Sequence, residues 1–163
     1  MKKTAVLRDP LFLEHKTRYG HPESPERLAA IYTALNDDSE LSSYYIEESP
    51  REATAEEIAL NHSHEYIRLI EGTSGREYVS LDPDTNTSPG TWKAAVLAVG
   101  AVLKGIELLQ AGIASNAFAL IRPPGHHAEH GRAMGFCIFN NIAIGAWFLQ
   151  SAYKLERILI VDW

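Results

Sequence analysis

The apolar positions change period several times along this chain, and each change marks an element. Residues 4–7, TAVL, are a short apolar run closed by Asp9 and Pro10, the pattern of a first strand. From Ser24 the period becomes helical. Leu28, Ile31, Tyr32 and Leu35 fall on one face, with Ser24 at the N-cap and Pro25 at the first helical position. Residues 44–46 read as a strand. Thr54 and Glu57 have the spacing of a capping box, and a second short helix runs on to Gly72. Residues 72–90 are rich in Gly, Ser, Thr, Asp and Pro; they read as a long loop, and long loops in compact domains tend to carry function. The clearest helix follows over 91–111: Trp92, Val96, Val99, Leu103, Ile106 and Leu109 recur every three or four residues, and Gly112 ends it. Residues 117–121 and 157–161 are continuous apolar runs, with a helix over 141–153 between them.

Continuously apolar strands are buried on both faces, as in a parallel sheet covered by helices. The stretch 117–161 therefore predicts a strand–helix–strand unit with a parallel crossover. The fold class is α/β. No repeat, low-complexity tract or linker divides residues 1–163, so a single domain is expected. The last run, RILIV, leads straight into Asp162 and Trp163. In open α/β sheets ligands gather just past the carboxyl ends of strands, so a site is expected there.

Charge narrows the function. The 163 residues carry a formal net charge of −6. No surplus of Lys and Arg is available to displace counterions, which excludes a nucleic-acid binder. An acidic surface suits a cationic partner such as a lysine-bearing peptide or a polyamine. The single cysteine, Cys137, allows no internal disulfide, and its apolar setting in GFCIF predicts a buried thiol rather than a nucleophile. The N-terminus lacks the apolar core of a signal peptide, and no apolar run approaches a membrane span. A cytoplasmic protein without membrane attachment is the expectation.

The candidate chemistry lies in residues 122–141, RPPGHHAEHGRAMGFCIFNN. His126 and His130 are four apart, a helical metal-binding spacing, but the prolines and glycines around them argue against a helix. Acid–base work explains more. Two adjacent imidazoles on a stiff loop, beyond the end of a buried strand, can serve one centre in different protonation states. A carboxylate hydrogen-bonded to one would favour its charged form, and Asp162 is the candidate. Gly131 and Gly135 could let backbone approach a ligand closely.

RPPGHHA, then GFCIFNNIAIGA, then RILIVDW resemble the histone deacetylase superfamily, with HPESPERL (21–28) and DTNTSPGTWKAA (84–95) in support. The pattern is similar to the class II and bacterial deacetylase-like amidohydrolases, a group that includes acetylpolyamine amidohydrolases. The resemblance implies a three-layer, parallel-sheet arginase/deacetylase fold and zinc-dependent hydrolysis of an N-acetyl amide, on acetyl-lysine or an acetylpolyamine. It implies His127 as general base and acid, and His126 as its electrostatic partner, hydrogen-bonded to Asp162. It implies Gly135 as the carbonyl that receives the substrate amide, Phe136 as a tunnel wall, Arg27 in the inner cavity and Asp84 on the rim. Asp162 would also join a structural potassium site.

The family's zinc ligands are expected after Trp163, so none is assigned within these residues. The expectation is the N-terminal portion of a deacetylase domain, incomplete in fold and inactive alone. Its sheet would have a gap between 117–121 and 157–161, and the open edge would favour self-association. Two other readings stay open: a non-catalytic module that binds a partner through its incomplete sheet, and a metal-free hydrolase using Cys137 or a loop serine.

Overall fold

A computed structural model describes residues 3–162. At its centre lies a three-stranded parallel sheet in the order β2-β1-β5: Tyr45–Glu48, Thr4–Leu7 and Asn116–Ala119. Thr4 is in register with Tyr45 on one side and Asn116 on the other. Helices flank the sheet: α1 (Pro25–Asp37), α2 (Ala55–Ile58), α3 (His64–Glu71), α4 (Thr91–Gln110) and α5 (Asn141–Tyr153). None of the described helices is long and apolar enough to cross a membrane.

α4 organises the interior because it is apolar around most of its circumference. Leu97, Ala98, Ala101 and Leu108 pack with Ala5 and Leu7 of β1. Val99, Leu103 and Ile106 pack with Tyr66, Ile67 and Ile70 of α3 and Ile144 of α5. Each fully buried aliphatic side chain of this kind stabilises by roughly 1.5–3 kcal/mol. Position fixes function here: β1 and β5 aim their carboxyl ends at residues 8–24 and 120–127, and α1 closes over them. The Tyr32 hydroxyl of α1 donates to the carbonyl of Leu120, 2.9 Å away.

Several expected boundaries change. Ser24 and Pro25 open α1 as the sequence predicts, but the Ser24 side chain makes no capping bond. The Thr54–Glu57 capping box forms in full. The stretch after it makes two helices rather than one, because Ser63 starts α3 as a new N-cap, accepting from the Tyr66 amide at 3.1 Å. The loop 72–90 contains a small antiparallel pair, β3 (Val79–Ser80) with β4 (Asn86–Thr87).

The largest corrections concern the two apolar runs. β5 is shorter than 117–121 and is not buried on both faces; Phe118 is 58% exposed. It is an edge strand, paired with β1 alone. Residues 157–161 form no strand, so the strand–helix–strand unit over 117–161 is not made. Leu159 is 85% exposed. The physical reason is the same in both places: an apolar strand is buried only where neighbours take its backbone hydrogen bonds, and among the described residues none lies between β5 and 157–161.

Candidate active site

The histidine loop is anchored where it leaves the sheet. Arg122, 4% exposed, grips Glu23, 7% exposed, through Nε at 2.5 Å and Nη2 at 2.8 Å. Its Nη1 donates to the carbonyl of Phe12 at 3.1 Å. A charge pair out of water is tolerable only when its remaining donors are satisfied, and this one meets that condition. Beneath it, His15 Nδ1 meets Thr91 Oγ1 at 2.8 Å, and its Nε2 is 3.7 Å from the Glu23 carboxylate. Despite that carboxylate His15 is neutral: burial, and then the Arg122 charge, push it down to about 3.

Past Pro124 the chain runs against the start of α5. A side chain at Gly125 would collide with the carbonyl of Phe139 and the amide of Asn141. The next two rings meet edge to face, with His126 and His127 centroids 4.2 Å apart at 87°. Residues 134–137 then close a tight turn, Cys137 N donating to the Met134 carbonyl at 3.0 Å. Both central residues have positive φ, Gly135 at 56° and Phe136 at 71°. That conformation suits glycine and strains a phenylalanine, so the Phe136 backbone is held by its surroundings. Its amide donates to Thr85 Oγ1 at 3.0 Å, and its ring meets His21 edge to face at 4.6 Å.

These features enclose a cleft of about 700 Å³. His126, His127, Gly135, Phe136, Arg27 and Asp84 all line it, joined by Glu23 and Arg122. Six of the seven expected site residues thus come together from three distant stretches. Asp162 is the seventh, and it lines the adjoining cavity of about 710 Å³, whose wall includes His126 but not His127. No hydrogen bond or ion pair joins Asp162 to either imidazole among the described contacts, so the expected Asp162–His126 bond is not made. Residues 156–162 lack strand partners that would fix the carboxylate.

Cys137 is fully buried, its thiol pushed up by burial. It accepts from His127 N at 3.4 Å and donates to the Gly135 carbonyl at 3.3 Å. It braces the turn from behind and does not line the cleft, which removes it as a nucleophile. Glu23, Arg122, His62, Tyr66 and Asn140 also shape the site and were not legible as site residues. Each acts on a partner far away in sequence, which no local pattern reveals.

A family model for the histone deacetylase domain matches residues 21–163. The chain belongs to the histone deacetylase family. It is 41% identical over 147 residues to the polyamine deacetylase HDAC10 of Mus musculus, covering 86% of this chain and 22% of that one. It is 36% identical over 162 residues to a probable deacetylase of Archaeoglobus fulgidus, covering 98% of this chain and 44% of that protein. Among solved structures, the HDA15 HD domain superposes with a TM-score of 0.87 at 35% identity, over 93% of this chain and 44% of that one. The deacetylase-family chain therefore spans less than half the length of these relatives, and its flanked parallel sheet is part of the arginase/deacetylase fold.

Proposed function

We propose that this chain carries the acid–base half of a zinc-dependent deacetylase site, acting on N-acetyl amides of the acetyl-lysine or acetylpolyamine kind. The observation that carries the reading is the paired His126 and His127 rings facing Gly135, Phe136, Arg27 and Asp84 across one cleft. Among the described residues no group of three or more His, Cys, Asp or Glu side chains could hold a metal. None of the described residues is therefore assigned as a ligand of the zinc in this reading. The zinc would polarise the acetyl carbonyl and activate water.

This chain's own groups bind, orient and move protons. His127, nearer the cleft's Gly135 wall, takes a proton from the attacking water and returns it to the departing amine. His126 stands edge-on to it, the ring centroids 4.2 Å apart. The Gly135 carbonyl already accepts from the Cys137 thiol and has a second lone pair for a substrate amide N–H. Phe136 walls the acyl chain, its ring braced by His21. Asp84 at the mouth and the net charge of −6 favour a cationic substrate. Asp162, once residues 156–162 gain strand partners, orients His126 and contributes to a potassium site.

A second reading has one observation in its favour. The open edge of β5 and the exposed Ile160 and Val161 border the cavity of about 710 Å³. An incomplete sheet of that kind fits a non-catalytic module that recruits a partner chain. One experiment separates them: hydrolysis of an acetyl-lysine peptide and of an acetylated polyamine by a zinc-loaded deacetylase domain containing these residues, with His127→Ala as control. Turnover lost in the variant supports the deacetylase; no turnover of either substrate supports the module.

A further inference from the structure

The far end of the histidine loop is tied down by two residues that do not line the cleft. His62 is 1% exposed and packs its ring 5.3 Å from both Tyr66 and Phe139. The backbone amide of Asn140 donates to His62 Nε2 at 2.8 Å. His62 Nδ1 lies 3.2 Å from the carbonyl of His130. An amide N–H can only donate and a carbonyl can only accept, so the ring is neutral with its proton on Nδ1. A second strut runs parallel: Ser63 N donates to the same His130 carbonyl at 3.0 Å, and His130 Nδ1 donates to the Asn61 carbonyl at 2.5 Å.

Asn140 passes this restraint to the histidine pair. Its Oδ1 accepts from Ala143 N at 3.1 Å and caps α5. Its Nδ2 turns the other way, to the carbonyls of Ala128 at 3.0 Å and His126 at 3.4 Å. One side chain thus joins a helix terminus to the backbone on both sides of His127.

We propose that His62 and Asn140 form a positioning pair: His62, as its Nδ1–H tautomer, fixes the start of α5 to the loop, and the Asn140 amide sets the backbone that aims His126 and His127. The pair holds the loop whatever its chemistry; calling its cargo catalytic rests on the deacetylase reading. Neither residue lines the histidine cleft, and Asn140 borders only the adjoining cavity of about 710 Å³, so both act through the loop. The demand on His62 is specific. It must offer one acceptor and one donor at the spacing of two ring nitrogens, and a glutamine carboxamide offers the same pair while a phenylalanine offers only the ring.

The test uses the full 163-residue chain with His62→Phe, His62→Gln and Asn140→Asp. Aspartate keeps the helix cap and loses the donors to His126 and Ala128. Amide hydrogen exchange read by mass spectrometry reports the loop (124–133), α4 and α5 separately. The expected result is exchange in the loop faster by about tenfold or more in His62→Phe and Asn140→Asp, with α4 unchanged, and recovery to within about threefold of wild type in His62→Gln. Long-range nitrogen–proton correlation should show His62 protonated at Nδ1 and bare at Nε2. The proposal is overturned by unchanged loop exchange in both disabling variants, by equal acceleration of loop and α4, by failure of glutamine to rescue, or by the opposite tautomer. An ordered loop together with absent amidase activity in a zinc-loaded deacetylase domain containing these residues would sink the deacetylase reading and leave the positioning pair standing.

Discussion

Gly135 lies flat against the face of the His127 ring. A methyl group there would sit 2.7 Å from Cδ2 and 2.9 Å from Cγ of the imidazole, on a backbone whose φ of 56° already disfavours any side chain. The glycine is what lets the turn at 134–137 press the ring into one orientation.

Gly135→Ala should therefore displace the ring as well as strain the turn. The expected stability loss is about 1–2 kcal/mol by urea melt. In the active enzyme kcat should fall by about tenfold or more with little change in KM, since a misaimed base loses proton transfer more than binding. A variant with wild-type kcat would show that the ring does not need this wall.

Acid should weaken the fold before it protonates most carboxylates. His62 is pushed down to about 4 and His15 to about 3, both chiefly by burial, from an ordinary 6.5. The unfolded chain thus binds more protons than the folded one between these values, so stability rises with pH across the window. It is complete above about pH 6.5 and is lost as pH falls, with His62 contributing on the order of 3 kcal/mol by about pH 4. Urea midpoints at pH 7, 5 and 4 measure this, and His62→Gln should flatten the slope. An unchanged slope would mean that His62 is not held neutral.

The Glu23–Arg122 pair should be expensive to break from one side. Arg122→Ala leaves a buried carboxylate and an open lone pair at the Phe12 carbonyl, with an expected cost of about 3–5 kcal/mol. A melt within about 1 kcal/mol of wild type would contradict the burial of this pair.

The open edge of β5 should make the isolated 163-residue chain self-associate, and Phe118→Lys should shift it toward monomer in sedimentation velocity. The same chain should retain no stoichiometric zinc in equilibrium dialysis at sub-micromolar metal. Tight zinc lost on replacing His126 and His127 together would overturn the placement of the ligands outside these residues.

Local chemistry was legible in the sequence wherever neighbours in the chain decide the outcome. The Thr54–Glu57 box and the period of α4 are set by residues three or four apart, and both form as read. The resemblance carried by RPPGHHA and GFC placed four residues of the cleft, His126, His127, Gly135 and Phe136, and its supporting segments placed Arg27 and Asp84. What depends on distant partners was not legible. Apolar residues 157–161 look like a buried strand, but a strand needs two neighbours, and no periodicity says whether they are present. His62 reads as one isolated histidine; only the fold brings Asn140, 78 positions on, to its ring.

The most direct measurement of the central claim is the rate at which a zinc-loaded deacetylase domain containing these residues releases acetate from an acetyl-lysine peptide or an acetylated polyamine, with and without His127→Ala. The account predicts measurable turnover of at least one substrate and a loss of about 10²–10⁴-fold in the variant, with its melt unchanged. Wild-type turnover in His127→Ala would contradict it, as would a folded, zinc-loaded protein that hydrolyses neither amide.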